Sequence, residues 1–424
     1  MKLTRRTIAL PGLHDLDIAP IQRIIDTRVF QRLRRRKQLG ISFLTFPCAQ
    51  HTRFEHALGT FSMTLERIAR WISDGIISPE EGWNIALYGL LHDIGHGPYS
   101  HAIEGACRLD HNAHGLLLLK KLKKEITACG GNPAAIRSLF LRKDPLSACV
   151  SHRPLGTDKM DYLKRDGRNT HEAVGFRAGD LLNHIYFIDQ QLVIDQKIIA
   201  EVIQVQRDYA AMHSRVYFRK ACAIAQCFLQ QIVSRAMLLD PRNLKEEQLF
   251  QFTDCELDSF LLSSSDKTTR ELFARLDKRK LPKVAVRLIP NEVVPLDNAE
   301  GKSIATFRLP LEQLNAFDHL HRRESAAVYE RAVANLCGIP PEAVLITPVV
   351  SPHRFHLPDV GIYNGSGIIG TLREVRPRHY ASLEEELETY AAVRVCVFEE
   401  YREKVSNPFL SRDIFEYLIH MASL

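Results

Sequence analysis

The sequence predicts a mainly α-helical core up to about residue 280, followed by a smaller C-terminal α+β lobe. Three observations support this. Apolar residues recur every three to four positions along most of residues 20–262, which is the period of an amphipathic helix. After the basic stretch 278–282, short β-leaning runs alternate with helix-like segments. The length of 424 residues also exceeds one ordinary domain. We therefore expect two domains, residues 1–280 and 281–424.

The expected elements follow the apolar spacing and end at turn residues. Helices of the core are expected at residues 20–39, 56–73, 80–93, 115–129, 158–166, 198–238 and 244–262. In the lobe, strands are expected at 284–289, 303–309, 344–350 and 367–375, and helices at 326–337 and 383–401. No internal repeat is visible.

Composition favours a soluble enzyme. The net charge of +6 is modest for this length, and it suits polyanionic small molecules without implying nucleic acid. The nine cysteines are scattered without a CxxC pair, which indicates reduced thiols. The N-terminus has no hydrophobic region of signal-peptide length, and no uncharged stretch reaches the roughly 18 residues of a membrane span. We expect a cytoplasmic protein with no membrane partner.

The most informative motif is the adjacent pair His92-Asp93, at the end of expected helix 80–93 and before the turn at Gly95. A neutral imidazole and a carboxylate can both bind one cation, but two ligands make a weak metal site. On its own, such a pair is more often only hydrogen-bonded. A metal site here needs further ligands from elsewhere in the fold.

Two further candidates open other expected helices: His56 lies on the first turn of one and Asp158 near the start of another. Together with His92 and Asp93 they form a possible four-ligand site for a divalent metal, whether Fe, Mn, Mg or Zn.

Four sequence blocks, residues 24–40, 51–59, 91–101 and 158–166, occur in an order and spacing that resemble the HD-domain deoxynucleoside triphosphate (dNTP) triphosphohydrolase family. This family includes the metazoan SAM-and-HD-domain dNTPase and its bacterial dGTPase-like relatives. The resemblance implies a helical HD-domain core, with the metal and substrate site between about residues 26 and 220. It also implies hydrolysis of a dNTP to deoxynucleoside and inorganic triphosphate, additional Mg²⁺ with the triphosphate, and a homo-oligomer, either dimer or tetramer.

The resemblance also implies a set of substrate contacts. They are Arg53, Lys159 and Tyr162 with the triphosphate, Asp166 with the sugar 3′-hydroxyl, and Gln38, Leu39 and Tyr217 around the deoxyribose. The structural alternative for Arg53 is a surface ion pair with Glu55 or Glu66, and for Tyr217 it is ordinary core packing. Tyr209 stands where the family tends to place a phosphate-contacting arginine, for which Arg207 or Arg215 could substitute.

Four titratable residues follow the His-Asp pair: His96, His101, Glu104 and His111. Phosphoester hydrolysis needs an acid to protonate the leaving oxygen, and an imidazole titrating near neutral pH suits that role. By resemblance, His101 held by Glu104 is the acid, His111 is a second active-site histidine, and His96 lines the phosphate site. His114 offers a competing register for His111, and the two could instead form a zinc-like pair.

Asp26, Gln31 and Arg34 match residues with which some family members read guanine at an allosteric site. The block that completes that site is absent, and residues 10–14 differ from it, so a structural role with Arg34 salt-bridged to Asp26 is the alternative. The basic run 32–37 could contact a nucleic-acid backbone, but without interleaved aromatic residues a solvated helix face is favoured.

Two other functions stay open at this point. One is a different HD phosphohydrolase acting on nucleoside monophosphates or on cyclic or modified nucleotides. The other is a nucleotide-sensing or nucleic-acid-binding protein whose HD site is vestigial.

Overall fold

The computed structural model describes residues 6–11, 15–170, 172–239, 241, 244–293, 304–348 and 357–422. The expected strand residues 303, 349 and 350, and most of the 10–14 block, lie outside these ranges. Within them, helices dominate and short strands are concentrated in the C-terminal third. The predicted fold class, mainly α with an α+β lobe, is confirmed.

The core consists of helices joined by short loops. They are α1 (Gln22–Ile25), α2 (Arg28–Gln31), α3 (Arg53–Ser73), α4 (Pro79–Leu91), α5 (His111–Lys121), α6 (Lys123–Ala128), α7 (Pro133–Phe140), α8 (Ala148–Ser151), α9 (Thr157–Thr170), α10 (Ala178–Asn183), α11 (Ile199–Met212), α12 (Lys220–Leu239), α13 (Glu246–Leu249), α14 (Asp254–Leu262) and α15 (Lys267–Asp277).

Helix α3 is the central element of the core. Thr52 and Glu55 form a capping box that sets its first residue, because each side chain satisfies a backbone N–H that the helix leaves unpaired. The helix packs against α4 on one side and α9 on the other. Trp71, fully buried near its end, donates its indole N–H to the Ile185 carbonyl at 2.7 Å. The three helices that carry the predicted metal ligands are therefore packed together.

Two expected long helices are interrupted in the structure. Residues 20–39 form several short helical segments, because the Thr27 hydroxyl accepts the Phe30 N–H and starts a new helix there. Residues 198–238 are divided by a π-helical turn, His213–Tyr217, which widens the backbone at the end of α11. The second interruption lies beside the cavity described below.

Strands form two four-stranded sheets among the described residues. The first, in the order β6 (Ala305–Leu309), β5 (Lys283–Pro290), β10 (Val393–Val397), β7 (Val344–Thr347), is antiparallel except for the β5–β6 pair. The second, in the order β3 (Ile185–Ile188), β4 (Gln191–Asp195), β8 (Gly361–Tyr363), β9 (Ile368–Thr371), joins the helical region to the lobe through a parallel β4–β8 pair. A short hairpin, β1 (Thr7–Ile8) with β2 (Leu16–Asp17), lies near the N-terminus.

The helices of the C-terminal third are α16 (Leu311–Asn315), α17 (Arg323–Cys337), α18 (Leu372–Val375), α19 (Pro377–Glu388), α20 (Glu399–Val405) and α21 (Pro408–Ala422). Strands β3 and β4 lie between the expected helices 158–166 and 198–238, where no element was expected. Two expectations are wrong. Strand β10 lies inside the expected helix 383–401. Residues 372–375, expected as strand, form α18, whose start the Thr371 side chain caps.

Residues 357–388 return to the helical core. Tyr380 is buried in the same hydrophobic core as Trp71. Its hydroxyl accepts the Gln206 side-chain N–H at 3.1 Å. The expected boundary at residue 280 coincides with the loop before β5, and it stays a prediction. Helix α12 is long and apolar enough for a membrane span by length and composition, but 61% of its most apolar stretch is buried in the protein, as in an ordinary core helix.

Candidate active site

The four predicted metal ligands converge at one point. His56 projects from the first turn of α3, His92 and Asp93 follow α4, and Asp158 lies on the first turn of α9. The Nε2 atoms of the two histidines are 3.3 Å apart. Asp158 Oδ1 lies 3.4 Å from His56 Nε2 and 3.6 Å from His92 Nε2. Asp93 places one oxygen 3.5 Å from His56 Nε2 and the other 3.4 Å from His92 Nε2.

The other nitrogen of each imidazole has a fixed partner. His56 Nδ1 lies 2.8 Å from Asp161 Oδ2, and His92 Nδ1 lies 2.8 Å from the Gly89 carbonyl oxygen. Because these acceptors take the Nδ1 proton, each Nε2 lone pair faces the space between the ligands. Arg165 in turn holds Asp161 at 2.7 Å. Asp161 was not among the expected site residues, although its spacing of four from Arg165 on an expected helix is a usable signal.

This arrangement fits a divalent cation. Two imidazole lone pairs and two carboxylates share a buried volume in which His56 is fully inaccessible to solvent. Burial opposes a charge on His56, yet hydrogen bonds with Asp158 and Asp161 raise the pKa of this imidazole to about 9. The carboxylates thus attract positive charge strongly to this point, and a metal ion would replace the proton. A donor set of two nitrogens and two carboxylates is compatible with Fe, Mn, Mg or Zn.

Arg53 is part of this cluster and not of the surface. Its buried guanidinium donates to Asp93 Oδ2, to Ser100 Oγ at 2.8 Å and to the Gln38 carbonyl at 3.4 Å. The alternative surface ion pair with Glu55 or Glu66 is therefore wrong. Arg53 orients a metal-ligating carboxylate while it lines the cavity next to that carboxylate.

A second cluster surrounds Glu104. His96 Nδ1 and His111 Nδ1 lie 3.2 and 2.9 Å from its Oε1, and His101 Nδ1 lies 3.2 Å from its Oε2. Although burial opposes ionisation, the three imidazoles hold the pKa of Glu104 well below its ordinary value. His111 stacks on His96 with ring centroids 4.1 Å apart. All four residues predicted around the acid position are thus brought together.

The structure distinguishes His111 from His114. His111 contacts Glu104, whereas His114 is buried and its Nδ1 lies 2.7 Å from the Gly95 carbonyl oxygen. Gly95 makes this packing possible, since a Cβ there would lie 1.8 Å from the His111 carbonyl oxygen. His111 is therefore the histidine that faces the cluster, and the zinc-like pair with His114 does not form.

One cavity of about 690 Å³ connects these groups. Its described lining includes three of the four metal ligands, three histidines of the second cluster, and the predicted substrate contacts Gln38, Leu39, Arg53, Lys159, Tyr162, Asp166 and Tyr217. The lining residues run from Gln38 to Gln226 along the chain. The volume is in the range of small-molecule and cofactor sites.

Asp166 is held at the cavity wall by two partners. The Tyr217 hydroxyl donates to its Oδ2 at 2.7 Å, and His51 Nε2 lies 2.7 Å from its Oδ1. Tyr217 belongs to the π-helical turn and lines the cavity, so it is not an ordinary core aromatic. No specific role was expected for His51, although it lies five residues before the metal ligand His56 in the same sequence block.

The candidate allosteric residues contact one another only in part. Arg34 donates to Gln31 Oε1 at 2.9 Å and stacks on Phe54, with its guanidinium carbon 3.5 Å from the ring centroid. Asp26 instead accepts from Gln22 at 3.1 Å. The alternative salt bridge between Arg34 and Asp26 is not formed.

The basic run 32–37 is only partly a solvated helix face, because Arg34 and Arg35 are exposed whereas Arg32 and Arg36 bond to backbone carbonyls inside the protein. Arg36 is fully buried and donates to the carbonyls of His96, Phe250 and Phe252. Arg32 bonds backbone carbonyls in the same region. These guanidiniums fasten the turn after the His-Asp pair to the loop before α14, and so have a structural role.

Comparison with known proteins agrees with this geometry. A family model described as "HD domain" matches residues 53–152, which contain His56, His92 and Asp93, and a model described as "HD associated region" matches residues 177–307. The chain contains an HD domain. Its predicted resemblance to HD-domain proteins is confirmed.

Several curated proteins are similar in sequence to this HD-domain protein. It is 26% identical over 317 residues to the putative HD domain-containing protein L394 of Acanthamoeba polyphaga mimivirus, covering 66% of each chain. It is 30% identical over 233 residues to the deoxynucleoside triphosphate triphosphohydrolase SAMHD1 homolog of Dictyostelium discoideum, covering 47% of this chain and 43% of the relative. The chain spans between about half and two thirds of the length of the first three curated relatives it matches.

The fold also occurs in solved structures. A phosphohydrolase from Bacteroides thetaiotaomicron superposes with a TM-score of 0.71 at 22% sequence identity, covering 93% of this HD-domain protein and all of the other chain. The shared fold includes the C-terminal lobe. The HD domain indicates a phosphohydrolase, and the cluster of His56, His92 and Asp93 fits a divalent-metal site.

Proposed function

We propose that this protein hydrolyses deoxynucleoside triphosphates to deoxynucleoside and inorganic triphosphate. The observation that carries the proposal is that one cavity connects three groups of residues. They are the four candidate metal ligands, the histidines around Glu104, and a wall formed by Tyr162, Asp166 and Tyr217. The relatives named as dNTP triphosphohydrolases support the same reaction.

In this proposal His56, His92, Asp93 and Asp158 hold the divalent cation. Such a cation supplies Lewis acidity toward a phosphoryl oxygen and makes a nearby water more acidic. Arg53 and Lys159 bind phosphate oxygens next to it. Lys159 is placed for this because its ammonium group contacts Asp158 and lies 5.4 Å from the Tyr162 ring centroid.

His101 is the proposed acid. Its Nδ1 faces Glu104, and its side chain is 58% exposed where it lines the cavity, so Nε2 is accessible to a leaving oxygen. Glu104 fixes the ring orientation and stabilises the protonated imidazole. The proton then passes from Nε2 to the sugar 5′-oxygen as the bond to phosphorus breaks.

The sugar is proposed to lie between Tyr217, Leu39 and Gln38. Gln38 is 8% exposed, and its Oε1 has no hydrogen-bond partner within the described residues. A buried amide oxygen without a partner is costly, so a ligand hydroxyl or water is its expected partner. Asp166, held by His51 and Tyr217, accepts from the 3′-hydroxyl.

The test is product identification with the purified, metal-analysed protein and the four dNTPs. We expect deoxynucleoside and intact inorganic triphosphate in equal amounts. Release of single phosphates from the same substrates would contradict the proposal and favour another HD phosphohydrolase. Ribonucleoside triphosphates form the second arm: equal cleavage of these would contradict the roles of Gln38, Leu39 and Tyr217 at the sugar.

Replacing Glu104 with Gln is expected to lower kcat by about 10²-fold, because His101 loses the carboxylate that orients and charges it. The KM for dNTP should change little, since Glu104 does not line the cavity. Steady-state kinetics checks this, with the exposed Glu80→Gln on α4 as the control. A rise in KM or a fall in metal content that accounts for the lost activity would argue against the acid role of His101.

The remaining expectations stay predictions of this proposal: a guanine effector at Asp26, Gln31 and Arg34, a homo-oligomer, additional Mg²⁺ with the triphosphate, and a cytoplasmic location.

A further inference from the structure

We propose that Arg153 is a phosphate-binding residue of this cavity and contacts the triphosphate chain through its guanidinium. This inference rests on the proposed function and adds to it a cation that lies outside the four sequence blocks. Arg153 occupies the turn between α8 and α9, directly before the helix that carries Asp158 and Lys159, and it lines the same cavity as both.

The turn that carries Arg153 is rigidly packed. The Gly156 N–H donates to the His152 carbonyl at 2.8 Å, which closes the turn over the residues between them. A Cβ on Gly156 would lie 2.1 Å from the Val150 carbonyl oxygen, so the close approach of the two backbone segments requires glycine. Leu155 is 1% exposed, whereas Arg153 is exposed at the cavity wall. The backbone is thus anchored while the Arg153 side chain lines the cavity.

Arg153 and Lys159 are two cations that both act on His213 at this part of the cavity wall. Burial, together with the charges of Arg153 and Lys159, lowers the pKa of His213 to about 3, so this cavity histidine is neutral at pH 7. Two cations beside a neutral imidazole favour an anionic ligand group at this wall.

The charge balance of the cavity leaves a role for another cation. Among the described lining residues four are permanently cationic, Arg53, Arg142, Arg153 and Lys159, and three are carboxylates, Asp93, Asp158 and Asp166. Arg53 contacts Asp93 and Lys159 contacts Asp158, so these two cations partly compensate the metal-ligating carboxylates. A triphosphate carries several negative charges, and a planar guanidinium can bind two of its oxygens at once.

Arg153 would also take the place of the phosphate-contacting arginine that the resemblance implies on helix α11. At that position helix α11 has Tyr209, which lines the cavity. Of the two proposed substitutes, Arg215 is 62% exposed and pairs with Glu172 at 2.7 Å, and neither it nor Arg207 lines the cavity. Arg153 reaches the cavity from a different element of the fold.

The test uses the full-length, metal-loaded protein with inorganic triphosphate as the probe. Calorimetry with Arg153→Gln should show at least about tenfold weaker triphosphate binding, the scale of one lost charged hydrogen-bonding contact. Arg153→Lys should lie between wild type and Arg153→Gln because it keeps the charge but loses the bidentate geometry. In dNTP hydrolysis, KM should rise for both variants while kcat changes less. Affinity for the deoxynucleoside product should be unchanged.

Two variants serve as controls: Arg137→Gln, an exposed arginine on α7 outside the cavity lining, and Arg215→Gln. Both should bind triphosphate like wild type. If Arg153→Gln binds triphosphate within twofold of wild type, or if Arg215→Gln alone weakens binding, this inference is overturned and the proposed function stands. If wild type binds neither triphosphate nor dNTP, the proposed function itself fails. Should Arg153→Gln not fold, Arg153→Lys decides, since unchanged KM and affinity in that variant also overturn the inference.

Discussion

Replacing Asp158 with Ala is expected to remove the metal from this protein and to lower dNTP hydrolysis by at least about 10³-fold. The expectation follows from geometry: Asp158 Oδ1 lies within 3.6 Å of Nε2 on both histidines of the proposed metal site, and no other described carboxylate outside Asp93 reaches both. Two histidines and one carboxylate leave a weaker site. The measurement is metal content by elemental analysis of the dialysed protein, alongside the initial rate.

A matched control is Asp413→Asn, an exposed carboxylate on the C-terminal helix α21. It should keep both metal and activity. Wild-type metal stoichiometry and rate in the Asp158→Ala protein would show that these four residues are not the metal centre. Full cellular function of a His92→Ala, Asp93→Ala double variant would instead support the alternative of a vestigial site with a binding role.

Replacing Arg36 with Ala is expected to lower the free energy of unfolding by about 3 kcal/mol. The guanidinium is fully buried and donates to three backbone carbonyls, two of them in the loop before α14. Without it these acceptors lose their donor inside the protein. The change also frees the turn containing His96, so hydrolysis should fall as well. Urea unfolding followed by circular dichroism measures the stability change.

The neighbouring residue supplies the control for this change. Arg35 is exposed, and Arg35→Ala should alter stability by less than about 0.5 kcal/mol. Equal stability of the two alanine variants would contradict the structural role of Arg36. If Arg35→Ala lost nucleic-acid binding while Arg36→Ala affected only stability, the basic run 32–37 would be supported as a nucleic-acid interaction surface.

The four candidate metal ligands could be found in the sequence because each stands in a recognisable local setting. His56 follows a capping box at the start of α3, His92 and Asp93 stand at the end of α4, and Asp158 is on the first turn of α9. Helix ends are encoded by nearby residues, so spacing and capping preferences in the sequence suffice to find them.

Other features depend on contacts between distant segments. His51 and Asp161 act through side chains more than 100 residues away, namely Asp166 and His56. Arg36 points inward because it bonds to a loop near residue 250. From the sequence alone, a run of basic residues predicts a solvated surface. Helical periodicity also could not reveal β4, since its parallel partner β8 lies more than 150 residues further along the chain.

The sequence by itself determined the helical class of the core, the four ligand positions and the order of the motifs, because periodicity, capping and short spacings are local properties. Only the tertiary structure decided that His111 and not His114 faces Glu104, that Arg53 and Arg36 are buried, and that Arg153 joins the cavity. Each of these depends on which surfaces pack together. Burial and long-range partners change what a charged side chain can do, and spacing along the chain does not specify them.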